Sequence, residues 1–276
     1  MGYGGTVGRP APALWRANLV LCAEKHEVNV SEKQSSWSLL ASIVDRPGVA
    51  LANVAAYPRW RWLLPALLAV VVLATSAALT APLLAAQSSQ QAQELLAGSL
   101  SQLPADQAAQ VQASMAVFQT PLFLGATTLV MGIIGLALGW LIQGGVLYFG
   151  ALIAGADLEF KRIFATTPWL GLPYVLETIV HTAYVAVKGQ LIVNQGLSYL
   201  VSSGKPLDDA RNLAYAALSQ VSIFRLWHLA LVYVLLRSVG RLGQGAAFWL
   251  TVIYAGLFVA AHLLFTVAPG RLLAGL

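Results

Sequence analysis

Five long apolar runs, at about residues 62–86, 122–153, 164–187, 223–239 and 246–267, occupy most of the chain after Trp62, and charged residues fall almost entirely between them. A bilayer hydrocarbon core about 30 Å thick is crossed by about 20 apolar helical residues. Inside it the backbone finds no water, so a helix, which pairs its own N–H and C=O groups, is the economical way across. The pattern predicts an all-α, polytopic membrane helix bundle with five transmembrane helices. A soluble enzyme does not fit it.

Composition points the same way: 58% of residues are hydrophobic and 10% are charged, with a mean hydropathy of +0.71. The net charge of +5 suits flanks that face anionic lipid better than it suits nucleic acid. Trp60, Trp62, Tyr148 and Trp169 lie near run ends, where aromatic belts form. The single cysteine, Cys22, excludes an internal disulfide framework and a cysteine metal cage. Residues 1–37 read as an N-terminal flank expected to be disordered, with a start near Val28 or Val30 as the alternative beginning of the natural protein. Residues 38–267 form the membrane domain, and 268–276 a short tail.

Lys and Arg close to span ends favour the cytoplasmic side. Arg46, Arg59 and Arg61 precede the first run, Lys161 and Arg162 separate the second from the third, and Arg237 and Arg241 separate the fourth from the fifth. The stretch 87–121 has neither Lys nor Arg. This alternation predicts an N-terminus inside and a C-terminus outside. Pro173 is expected to kink the third span, because proline removes a backbone donor.

Before the first run, Trp37, Leu40 and Val44 recur at helical spacing, and Val49, Leu51, Val54 and Tyr57 follow Pro47. Two short helices fit, either lying in the membrane interface or packed on the end of the bundle. In the outer stretch, Pro104 just before Asp106 suits a helix start, and a helical extension is expected over 87–93.

Ionisable groups at membrane depth are costly and often functional. Glu177 and His181, four apart, share a face of the third span, and Arg225 and His228, three apart, share one of the fourth. Together with His262, all five fall in the outer half. They form either a metal or proton-relay site or a charge-paired packing network with Glu177 against Arg225. Convergence around a cavity distinguishes the first from the second. Gly135 and Gly139 form a small-xxx-small pair that predicts close helix approach, within the chain or in a homo-oligomer. No phosphate-binding glycine loop, nucleophile elbow or zinc-protease motif is present.

Several short motifs occur in a fixed order. Gly155-Ala156-Asp157-Leu158-Glu159-Phe160-Lys161 turns into a span containing Leu172-Pro173, and Ile223-Phe224-Arg225-Leu226-Trp227 opens the next. Over about residues 38–264 the chain resembles the Yip1 domain family, particularly its prokaryotic members. One departure is that Gln220-Val221-Ser222 stands where the family pattern carries an acidic residue. The resemblance implies five spans, a cytosolic N-terminus and residence in a bacterial plasma membrane. It implies a non-enzymatic protein without cofactor that organises or scaffolds membrane partners or membrane shape. Membrane lipids, other membrane proteins or further copies of the chain are its expected partners. Small-GTPase binding, which eukaryotic relatives direct through longer N-terminal regions, does not carry over to this short flank. A small transporter using the polar layer around Glu177 and His181 is the alternative, and an intramembrane metal-binding protein or metalloenzyme the third.

Overall fold

The computed structural model describes residues 35–100 and 104–266, and among them the regular structure is entirely helical. The expectations for Cys22, for the chain start and for the C-terminal tail lie outside the described residues.

The first three helices are punctuated by proline. Ser35 caps α1 (Ser36–Asp45), its hydroxyl accepting from the Ser38 N–H at 3.2 Å. Pro47 opens α2 (Pro47–Ala56) and Pro58 opens α3 (Pro58–Arg61), at positions where a missing N–H costs nothing. Of the two settings expected for this segment, the structure shows the packed one. Leu39, Ile43, Leu51 and Val54 are essentially inaccessible and belong to the main core. The packed stripe of α1 is offset from the expected one: Leu39 and Ile43 face inward, whereas Trp37 and Val44 are exposed. Both stripes are apolar, so periodicity alone does not choose between them.

The long helices follow. They are α4 (Leu63–Leu100), α6 (Pro121–Ile153), the pair α7 (Phe160–Leu170) and α8 (Leu172–Lys188), and α12 (Gln244–Thr266), with α5 (Ala105–Phe118) between the first two. Pro104 caps α5 as expected, and α4 runs through 87–93 as the extension anticipated there. Four stretches are long and apolar enough to cross a membrane: Pro58–Gln90, Pro121–Ile153, Phe160–Lys188 and Gln244–Leu264.

The expected fourth span is different. It forms α11 (Ile223–Ser238), whose 16 residues rise about 24 Å, less than the hydrocarbon thickness. Before it come a 3-10 turn (Ser198–Leu200), α9 (Pro206–Arg211) and α10 (Leu213–Leu218), which packs on α12. Around the α10–α11 break, the Leu197 N–H donates to the Leu218 carbonyl at 3.1 Å. Gly196 makes this approach possible: its φ is +55°, and a Cβ there would stand 2.5 Å from the Val221 oxygen. The same loop is fastened at Asp209, which accepts from the Ser203 N–H and the Ser202 hydroxyl, each at 2.7 Å. These donors hold its carboxyl below the usual carboxylate range.

The family-like turn 155–160 also has a local cause. Gly155 takes φ +88° at the end of α6, and the Ala156 N–H returns to the Ala151 carbonyl. Glu159 precedes α7 and pairs with Lys161 at 2.7 Å, which lowers its carboxyl pKa. Tyr148 and Phe164 contact Phe160 from either side, with ring centroids 5.5 and 5.7 Å away.

The densest packing lies at the end of the bundle that carries α1–α3, here termed the near end. There Ile163, Trp169 and Leu170 of α7 meet Leu231, Leu235 and Leu236 of α11, all 2% exposed or less. Trp169 is therefore not a belt residue. It is fully buried, and its indole N–H donates to the Arg61 carbonyl at 3.0 Å. Arg61 itself is buried and donates to Asn53.

Candidate functional site

The site begins with a backbone defect. Pro173 has no N–H and follows Gly171, which separates α7 from α8. The Tyr174 N–H bonds back to Gly171 at 3.0 Å rather than to Leu170, so the Leu170 carbonyl is left to find another donor. His228 of α11 supplies it, with Nδ1 at 2.8 Å. A carbonyl only accepts, so Nδ1 carries the proton, and in the neutral ring favoured by 2% exposure Nε2 becomes an acceptor. The Tyr254 hydroxyl of α12 donates to it at 3.0 Å. Gln143 of α6 brings its amide nitrogen to 3.4 Å from the same atom. One imidazole thus ties four helices together.

These groups line a cavity of about 610 Å³ bounded by α4, α6, the α7–α8 junction, α11 and α12. Its wall is mostly hydrocarbon and aromatic, including Leu73, Trp140, Tyr174 and Phe258. The α6 and α12 helices meet closely where Gly150 faces Leu250. Along the cavity, lining residues Ile142, Leu257 and Phe258 are 64%, 54% and 43% exposed, so its mouth opens laterally between these two helices.

Of the five ionisable residues singled out in the sequence, His228 alone lines this cavity. Arg225, one turn earlier, has its backbone N–H capped by Ser222 and donates its guanidinium to Gln220, within the stretch where an acidic residue was expected. The guanidinium carbon sits 5.8 Å from the Tyr174 ring centroid and 5.4 Å from that of Phe258. Among the described residues, no ion pair within 4 Å joins Glu177 to Arg225. Glu177 lies within electrostatic reach of Tyr174, and His262 within that of Arg225. His181 stands apart, lining a second recess of about 470 Å³ with Thr80, Gln87 and Tyr215 at the far end. Among the described residues, no three His, Cys, Asp or Glu side chains come together as a metal ligand set.

Nor do Gly135 and Gly139 act as close-packing points within the chain. A Cβ at either would meet nothing within 4 Å, and both line the cavity. Close approach to α4 occurs instead at Gly132, against Leu73. Gln143, Tyr174 and Tyr254 were missed by a reading that followed charge. The available signal was an amide and two hydroxyls inside otherwise apolar runs.

The family model of the Yip1 domain matches residues 41–266, from within α1 to the last residue of α12. No curated protein and no solved structure matches the chain. With apolar helices long enough to span a bilayer and a match that covers most of its length, the chain is an integral membrane protein and belongs to the Yip1 domain family.

Proposed function

We propose that this protein is a non-enzymatic organiser of membrane partners, with its near end in the cytoplasm of a bacterial cell. The observation that carries this reading is the exposure of α6. In its most apolar stretch no residue is buried by the rest of the chain, and Met131, Leu138 and Leu141 are 62%, 52% and 52% exposed. This stretch, unlike the end of α6 that buries Leu147 and Ala151 in the core, has much of its surface available to a neighbouring membrane helix. Both ring nitrogens of His228 are consumed in joining helices, which favours a structural role for it over turnover. Arg46, Arg59, Lys161, Arg162, Arg237 and Arg241 all belong to elements that converge on the near end, which supports a cytoplasmic setting for it. In this reading α10 and α11 together make the fourth of five crossings.

The test is photo-crosslinking in native membranes from Met131 and Leu141, which point away from the cavity, with Leu67 of α4 (60% exposed) as reference. Discrete protein adducts at the α6 positions, to a second copy or to another membrane protein, are the expected result. Adducts to lipid alone at all three positions would remove the proposal.

A further inference from the structure

The cavity described above has a chemistry of its own, independent of any partner on α6. Protein interiors rarely leave voids much larger than a water molecule, and cavities of about 300–1,000 Å³ with apolar walls and a few placed polar atoms are the usual form of a small-molecule site. This one opens sideways between α6 and α12, among side chains that are themselves exposed to the hydrocarbon. An occupant therefore enters from the bilayer, and its body is apolar.

The polar corner states what its head must be. The proton of Tyr254 is directed to His228 Nε2, and the proton of His228 to the Leu170 carbonyl. The amide nitrogen of Gln143 is the end turned toward His228 Nε2; the flipped amide would set two acceptors against each other. What remains for the cavity is the Tyr254 oxygen and the Gln143 carbonyl oxygen, both acceptors, with the second N–H of the Gln143 amide as a donor beside them. An acceptor-only group such as a carboxylate, phosphate or ketone can take that one N–H but sets its lone pairs against both oxygens, and a bare alkane leaves all three unused. A hydroxyl group matches them.

We propose that this cavity binds the free hydroxyl of a long-chain membrane alcohol lipid, its hydroxyl donating to Gln143 and Tyr254 and its chain lying along Gly135 and Gly139. The two glycines give the chain room, because no neighbouring atom lies within 4 Å of where their Cβ would be.

The experiment uses the purified full chain in nanodiscs with a diazirine-bearing hexadecanol, compared with the matching diazirine hexadecanoic acid at pH 8 and diazirine hexadecane. The alcohol should label α6 and α12 saturably, be displaced by unlabelled hexadecanol, and compete at least tenfold better than the other two. Gly139→Leu fills the cavity and should abolish saturable labelling. Gly145→Leu makes the same change on the same helix where Cβ space is also open but the cavity is not, and should leave labelling intact. Gln143→Leu keeps the cavity open and should weaken competition about three- to tenfold, the share of one hydrogen bond. Should Gly139→Leu fail to fold, Gln143→Leu decides alone. Equal labelling by acid or alkane, an unchanged Gln143→Leu, or matching behaviour of the two glycine variants would each overturn the proposal.

Discussion

His228 joins two parts of the chain with separate needs: the Leu170 carbonyl, left free where the Tyr174 N–H turns to Gly171, on one side and the hydroxyl of Tyr254 on the other. His228→Ala leaves both unpaired in a buried setting, at a cost of about 2–4 kcal/mol. Thermal unfolding in detergent should fall by about 5–15 °C. Tyr254→Phe removes a single bond and should cost about 1 kcal/mol. Because the two side chains share that bond, the double variant should lose less than the sum of the singles, and strict additivity would show that they do not depend on each other. Of this constellation, His228 was legible in the sequence because an ionisable group in an apolar run stands out. Its partners were not. Gln143 and Tyr254 are neutral, and the fourth participant is a backbone carbonyl that becomes available only through the geometry after Gly171. Arg225 shows the same limit: its acceptor is an amide, where a search for opposite charge looks to Glu177.

Among the elements, the runs 122–153, 223–239 and 246–267 were legible to within about two residues at each end, since an apolar run maps directly onto a helix in hydrocarbon. The break in the third span was legible for a related reason, as Leu172-Pro173 removes a donor that no context restores. The organisation of residues 196–239 was not. Residues 223–239 are apolar enough to read as a span, yet they form the short α11, and the loop at Gly196 folds against the α10–α11 break through contacts between distant segments. Gly196 holds that loop in place. Gly196→Ala brings a Cβ against three carbonyl oxygens at a positive φ, and should destabilise the α10–α11 junction by about 1–3 kcal/mol. Amide exchange at Leu197 and across residues 189–222 should accelerate by about five- to a hundredfold, while α7 and its core partners remain as protected as before. Unchanged exchange at Leu197 would show that the loop is not held by this approach.

At the scale of the whole molecule, the proposed orientation places Lys161 inside and Ser203 outside. In a Cys22→Ser background, a membrane-impermeant maleimide added to intact bacterial cells should label Ser203→Cys and reach Lys161→Cys only after permeabilisation. The reverse pattern would invert the topology. The bundle is also uneven along its length, tightly packed at the near end and hollow around the cavity, so rigidity at one end coexists with lateral access further along. The position of α1 and α2 has a separate consequence, for the order in which the protein can be made. Leu39, Leu51 and Val54 are buried in the core that includes Leu231, Leu235 and Leu236, but the ribosome delivers α11 roughly 180 residues after α2, a delay of roughly ten to forty seconds at ordinary synthesis rates. During that interval the first helices have only one another and, from about two thirds of the way through, α7 to cover their apolar faces. The nascent chain must shelter them at the membrane surface or on a chaperone, and only the arrival of α11 lets the near end close.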